Sequence, residues 1–250
     1  MEKFKAYRIF EDNGKGKGRL TEMTLDELDP GAVVIRTAYS SVNYKDALAA
    51  TGAGGKIIRN FPLIGGIDAA GTVVTSSDGR FKAGDEVICT SYDMGVAHDG
   101  GYAQYCRVTA DWVVPLPEGM SLFDAMALGT AGYTAGLAIC LLEQNELKPA
   151  NGKVLVNGAT GGVATLAIDM LFGLGYQVTA VTGKDGEHEF LKKIGAAEVL
   201  SRQSIEMGTR PLERATWAAP YSPSAAASAT PMTAKPRTRR FRSSTTVIRS

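Results

Sequence analysis

Eight consecutive residues carry the first chemistry legible in this chain. Asn157-Gly158-Ala159-Thr160-Gly161-Gly162-Val163-Ala164 sits where a short apolar run, Lys153-Val154-Leu155-Val156, gives way to a longer one. Gly158 permits a tight turn, Gly161 and Gly162 let the backbone approach a ligand, and the small Ala164 lets a helix lie close to a strand. A helix that begins there presents unpaired N–H groups and the positive end of its dipole. That combination attracts phosphate. The expected chemistry is the anchoring of a pyrophosphate by Gly158, Ala159, Thr160, Gly161, Gly162 and Val163.

A glycine turn alone is weak evidence, and its value comes from the elements around it. Residues 153–156 read as a buried strand and residues 165–174 as an apolar helix. Gly175-Tyr176 turns the chain into a second strand, 177–182. A helix at 187–194, stopped by Gly195, leads to a third strand at 198–200. The second strand ends Val181-Thr182-Gly183-Lys184, without the carboxylate that usually holds the ribose hydroxyl of NAD. Thr182, Gly183 and Lys184 therefore favour NADPH, whose extra phosphate a lysine attracts. Asp185 follows at once and keeps NAD as the alternative.

Bulk properties exclude several classes. The chain has 250 residues, 44% hydrophobic and 21% charged, as an ordinary globular protein has. No run of apolar residues is expected to span a bilayer, no secretory leader is expected, and the location expected is cytoplasmic. Three scattered cysteines, Cys89, Cys106 and Cys140, fit reduced and buried thiols better than disulfides. The net charge of +1 conceals an asymmetry. Residues 219–250 hold six basic side chains and no acidic one, which leaves residues 1–218 at −5.

Residues 1–125 read as a β-rich domain, with strands at 32–37, 71–74, 86–89 and 101–108 separated by glycine-containing turns. Ser121 with Asp124 marks a helix start, and the apolar run that follows reaches residue 142 across a Gly129-Thr130-Ala131-Gly132 interruption. Residues 126–218 form the nucleotide unit with its connecting helix. Residues 219–250, rich in Ala, Ser, Thr, Pro and Arg, have no helical or strand period and are expected to stay disordered.

With these motifs set out, residues 1–218 resemble the zinc-free medium-chain dehydrogenase/reductases, in the quinone-oxidoreductase-like branch that includes acrylyl-CoA reductases. The resemblance is carried by Ser41-Val42-Asn43-Tyr44-Lys45-Asp46, Lys56-Ile57-Ile58-Arg59-Asn60-Phe61-Pro62, Gly66-Ile67-Asp68-Ala69-Ala70-Gly71-Thr72-Val73, Gly129-Thr130-Ala131-Gly132-Tyr133-Thr134-Ala135 and the glycine loop. It implies an α/β chain with a β-rich part: a GroES-like catalytic domain, then a Rossmann domain with a doubly wound parallel sheet, here incomplete.

The resemblance further implies NADPH-dependent reduction of an enone, an enoyl-CoA such as acrylyl-CoA, or a quinone, by direct hydride transfer. Tyr44 and Asn43 would be the catalytic residues, and Thr130 would lie near the nicotinamide. Read from its own loop, Arg59 would either meet a phosphate of a CoA thioester or stay a solvated cation. Asp46 is expected to pair with Lys45 or cap a helix. Zinc-dependent relatives carry Cys, His and Glu where this chain has Asn43-Tyr44 and Gly66-Ile67-Asp68, and no C-x-x-C occurs, so no metal is expected. His98 reads as a hydrogen-bonded loop residue.

The family pattern stops near residue 218, after Glu213-Arg214-Ala215-Thr216-Trp217-Ala218. A tail read out of frame accounts for the composition beyond it, and a disordered basic extension is the competing account. The chain is thus expected to be a working reductase, or alternatively a truncated, impaired remnant that retains partial nucleotide binding. A homodimer is expected only of a complete fold. Neither nucleic acid nor membrane is an expected partner; the basic run at 237–242 reads as a solvated tail.

Overall fold

The structure is a computed structural model and describes residues 3–53, 57–204, 219–221 and 246–249. The basic run at 237–242 and the motif at 213–218 lie outside the described residues. The chain divides into two compact units, Met1–Thr130 with Thr245–Ser250, and Ala131–Ser244.

The first unit begins with β1 (Phe4–Asp12) and β2 (Lys15–Met23), followed by β3 (Val33–Val42), α1 (Tyr44–Thr51), β4 (Leu63–Ile64) and β5 (Asp68–Ser76). β6 (Glu86–Thr90), β7 (Tyr105–Val108) and β8 (Val113–Pro115) complete it before the long helix α2 (Leu122–Gln144). β1 and β2 pair antiparallel through an Asn13-Gly14 turn in which both residues have positive φ, 52° and 77°. That is the backbone a two-residue hairpin prefers. The sequence reading has no strand before residue 32, although Asn-Gly is a strong short-range hairpin signal.

β3 is the organising strand. It runs past the expected residue 37 to Val42 and pairs with β5 along one side. β7 covers residues 33–36 on its other side. The expected strand at 101–108 is real only from Tyr105. Before it, Gly100, Gly101 and Tyr102 donate backbone N–H groups to Ile64, Gly66 and Gly65 at 2.9 Å each. Val33, Ile35, Val73, Val87, Met94, Cys106 and Val108 fill the core beneath this sheet.

α2 starts as expected: Asp124 N–H donates to Ser121 Oγ at 3.1 Å, and Ser121 Oγ donates to the Asp124 carboxylate at 2.6 Å. Gly129 interrupts it at φ 49° and ψ −153°, a conformation that favours glycine. The division between units falls one residue later. α2 also corrects the reading that no apolar run could span a bilayer, since its 23 residues are long and apolar enough by length and composition. Ala131, Ala135 and Ile139 are buried in a protein core, where apolar helix faces also belong.

The second unit contains β9 (Val154–Asn157), α3 (Gly162–Gly173), β10 (Val178–Thr182), α4 (His188–Lys193), β11 (Ala196–Ser201) and β12 (Ala219–Tyr221). Its four strands are parallel, in the order β11-β10-β9-β12. α3 buries Val163, Ala164, Ala167, Ile168 and Leu171 in one cluster with Val154, Val156, Val178 and Ala180. The sheet order reverses next to β9, and doubly wound sheets bind ligands at such a switch point.

Two pieces of the tail depart from the expected disorder. β12 adds a strand beside β9, and β13 (Thr246–Arg249) pairs antiparallel with residues 39–42 of β3. Both attach through backbone hydrogen bonds to an open strand side, which demand little of composition. The expectation of disorder rested on composition and missing periodicity, and neither registers a strand added by backbone pairing alone.

Candidate functional site

Two groups of residues are built for chemistry, one in each unit, and each follows from its local sequence. In the second unit β9 ends at Asn157, whose Oδ1 accepts the Gly158 N–H at 2.8 Å. Gly158 then turns the chain at φ 66°. Ala159 N–H donates to Val181 O at 3.0 Å, tying the turn to β10, and Gly161 N–H closes it on Gly158 O at 2.9 Å.

Helix α3 starts at Gly162, three residues earlier than the expected 165. Its first N–H groups, on Gly162, Val163 and Ala164, have no acceptor within the helix, and no side chain caps it. Ala159 and Val163 are buried, whereas Thr160, Gly161 and Gly162 are partly open. This cradle fits a pyrophosphate: donors without acceptors, and glycines where a side chain would intrude. At the end of β10 Thr182 is buried, and its Oγ1 accepts the Lys184 N–H at 3.0 Å. Gly183 and Lys184 are exposed beyond it.

In the first unit the chemistry converges on a carboxylate that the sequence reading did not single out. Asp68, the first residue of β5, is fully buried. Ser41 Oγ donates to its Oδ2. Asn43 Nδ2 donates to the same oxygen at 2.8 Å, and Thr130 N–H at 3.0 Å. Thr130 Oγ1 donates to Oδ1 at 2.6 Å. The partners lie 27, 25 and 62 residues away in sequence, so no local spacing reveals the cluster. Gly129 places Thr130 here, because its backbone carries the chain past Ser41 and Asp68 where a side chain would have little room.

Asn43 also receives support from Asp46 at the start of α1. The Asn43 N–H donates to Asp46 Oδ2 at 2.8 Å, and the Ile67 N–H donates to Asp46 Oδ1 at 3.0 Å. Asp46 thus caps the helix, one of its two expected roles. Burial pushes its carboxyl up to about 6; the Asn43 N–H opposes that shift, while the neighbouring Asp68 adds to it. Burial raises the Tyr102 hydroxyl likewise, and that hydroxyl donates to Ser41 O at 3.0 Å.

The Asp46 shift has a measurable sign. Its pKa in the folded chain lies above its value of about 4 in an unfolded chain, so the folded state binds the extra proton. The stability from this group is fully present below pH 4 and is lost as pH rises through 6, a change of about 3 kcal/mol. We expect Asp46→Asn to remove that slope. Chemical unfolding of both proteins between pH 4 and 7.5 checks this, and parallel profiles would count against it.

The remaining expected site residues are placed as follows. Tyr44 opens α1 with 46% of its surface exposed, beside the almost fully buried Asn43. Arg59 is exposed and paired with Asp93 at 3.0 Å. His98 is hydrogen-bonded, its ring nitrogens each 3.0 Å from a backbone oxygen, of Asp99 and of Pro30. Cys89 and Cys106 are buried, and burial pushes the Cys106 thiol up to about 12. Cys140 is exposed, which corrects the expectation of three buried thiols. Among the described residues no three His, Cys, Asp or Glu side chains gather as metal ligands would.

Residues 29–118, the body of the first unit, match the alcohol dehydrogenase GroES-like domain. The chain is 47% identical over 209 residues to the acrylyl-CoA reductase AcuI of Ruegeria pomeroyi. It is 51% identical over 202 residues to YhfP of Bacillus subtilis, described as a quinone oxidoreductase. These matches cover 83% and 80% of the chain but 63% and 61% of the relatives, so the chain spans under two thirds of their length. Among solved structures, the yhdH oxidoreductase of Salmonella enterica in complex with NADP superposes with a TM-score of 0.83 at 45% identity, covering 87% of this chain and 67% of that one. YhfP with NAD bound superposes equally well at 47% identity, covering 87% and 66%. The chain belongs to the medium-chain dehydrogenase/reductase family, in the branch of the quinone oxidoreductases and acrylyl-CoA reductases.

Proposed function

We propose that this chain is an NADPH-dependent oxidoreductase that reduces an activated alkene or a quinone. The observation that carries the reading is the uncapped start of α3 behind the Gly158 turn, a backbone cradle for pyrophosphate. Gly158, Ala159, Thr160, Gly161, Gly162 and Val163 hold the diphosphate, while Thr182, Gly183 and Lys184 receive the ribose phosphate. Bound there, the nicotinamide supplies a hydride.

The chain's other groups bind and orient the acceptor. The Tyr44 hydroxyl donates a hydrogen bond or proton to the oxygen that gains charge as the acceptor is reduced. Asn43 is fixed from both sides, by Asp68 on its side chain and Asp46 on its backbone, so it holds α1 and Tyr44 in one orientation. Thr130 completes that support. It would also line the nicotinamide's surroundings. The reading includes no metal, since the Asn43 amide stands beside Asp68 and donates to it at 2.8 Å.

A second reading is a chain that holds nucleotide but turns over little. It is favoured by the parallel sheet of four strands among the described residues, where a doubly wound sheet has six.

Cofactor preference tests the first reading. Removing the exposed ammonium with Lys184→Ala is expected to weaken NADPH binding about tenfold while leaving NADH within about twofold. Calorimetric titration of both proteins with both nucleotides measures this. Equal losses for the two would remove Lys184 from the phosphate site.

A further inference from the structure

Directly after β6 the chain does something that costs energy. Ser91 and Tyr92 both adopt the left-handed backbone region, at φ 67° and 52°. Neither is glycine, and each such residue costs about 1–2 kcal/mol. Strain of this kind persists where the surroundings enforce it, and it collects at ligand-binding positions. Here the surroundings do enforce it. Ser91 N–H donates to Ile67 O at 2.7 Å, and the Val96, Ala97 and His98 N–H groups all donate to Asp93 O.

The strained pair holds up an aromatic plate. The Tyr92 ring lies almost parallel to Trp112, with centroids 5.5 Å apart and planes 9° from each other. Trp112 is braced edge-on by His98, at 5.2 Å and 78°. His98 is itself anchored to the backbone oxygens of Pro30 and Asp99. Yet Tyr92 leaves 59% of its surface exposed. A rigid, backed and open aromatic ring is built to receive another flat ring.

Position narrows what that ring is. Ser91 Oγ lies 3.2 Å from Thr130 Oγ1, which donates to Asp68, so the plate begins one residue from the buried cluster. From consecutive Cα atoms 3.8 Å apart and one tyrosine side chain, the ring lies within roughly 10 Å of Ser91. Arg59 is exposed and pairs with Asp93 at 3.0 Å. A flat ring conjugated to a double bond held beside that cluster comes within reach of the plate.

We infer that Tyr92, backed by Trp112, is a stacking site that selects acceptors bearing a flat ring beside the reducible bond. The inference rests on the proposed reductase activity for its substrate and deepens that reading by choosing within it. Stacking on an aromatic side chain is worth about tenfold in affinity.

Two enones that differ only in a methyl or phenyl substituent, ethylideneacetone and benzylideneacetone, test it with NADPH. The intact chain is expected to show a KM about tenfold lower for the phenyl compound. That ratio falls close to one in Tyr92→Ala and is kept in Tyr92→Phe. Benzylacetone, the saturated product, is titrated into the same proteins by calorimetry, and its affinity is expected to drop about tenfold in Tyr92→Ala alone. An unchanged KM ratio, or unchanged benzylacetone affinity, in Tyr92→Ala overturns the stacking site. If neither enone is reduced while benzylacetone binding still depends on Tyr92, the reductase reading falls and the stacking site stands.

Discussion

Asp68→Ala is expected to lose about 3 kcal/mol of folding stability and, where the protein stays folded, about a hundredfold in kcat/KM. The first figure follows from what the carboxylate satisfies. Four donors end on it, from Ser41, Asn43 and twice from Thr130. Truncation removes the shared acceptor of all four in a buried setting, leaving Asn43 with Ser41 Oγ and the Thr130 hydroxyl with Ser91 Oγ. The second figure follows from position. Without Asp68 the Asn43 side chain loses the shorter of its two hydrogen bonds and keeps only Ser41 Oγ at 3.1 Å, and a shift of about 1 Å at a positioning residue costs about that much in rate.

Asp68→Asn separates the two effects. Three donors converge on Oδ2, and only the rotatable Thr130 hydroxyl meets Oδ1. An amide that keeps its oxygen at the Oδ2 position satisfies the three, and the hydroxyl turns to accept. The asparagine variant is therefore expected to fold within about 1 kcal/mol of the parent. Thermal melts with steady-state kinetics decide this. Equal stability losses in both variants would mean that charge, rather than acceptor geometry, is what the cluster requires.

Gly158→Val has the second-largest expected effect, and it acts on the nucleotide. The residue sits at φ 66°, where a β-branched side chain costs at least about 1–2 kcal/mol. Relief of that strain moves the turn closed by the Gly161 N–H on Gly158 O, and with it the start of α3. We expect NADPH affinity to fall roughly thirtyfold, equivalent to about 2 kcal/mol. The melting temperature without nucleotide should drop by only a few degrees. Calorimetry and a melt read the two separately. A large loss of stability with intact affinity would show that the turn serves the fold rather than the ligand.

These residues mark where sequence reading succeeds and where it ends. The glycine loop was legible because its elements are consecutive: strand, turn, helix and second strand follow from local periodicity and from glycine's conformational range. Asn43 and Tyr44 were reached only through resemblance, since nothing in Asn-Tyr-Lys-Asp states what it touches. Asp68 lay within a quoted motif and was passed over, because its partners come from β3 and from beyond Gly129. The N-terminal hairpin carried its signal in Asn13-Gly14, where strands rich in Lys and Gly obscured the alternation. β12 and β13 were invisible to composition because an open strand side binds backbone, whatever side chains the incoming segment carries. The partner of Arg59 is likewise remote, since Asp93 lies 34 residues away in sequence.

The central claim is that the Gly158 turn and the start of α3 hold NADPH for reduction of a conjugated acceptor. Titrating the intact chain with NADPH, then adding an enone and following cofactor oxidation, tests it most directly. The account predicts saturable binding at micromolar NADPH, weakened roughly thirtyfold in Gly158→Val, and oxidation that begins when the enone is added. No heat of binding, or binding that Gly158→Val leaves unchanged, would contradict it.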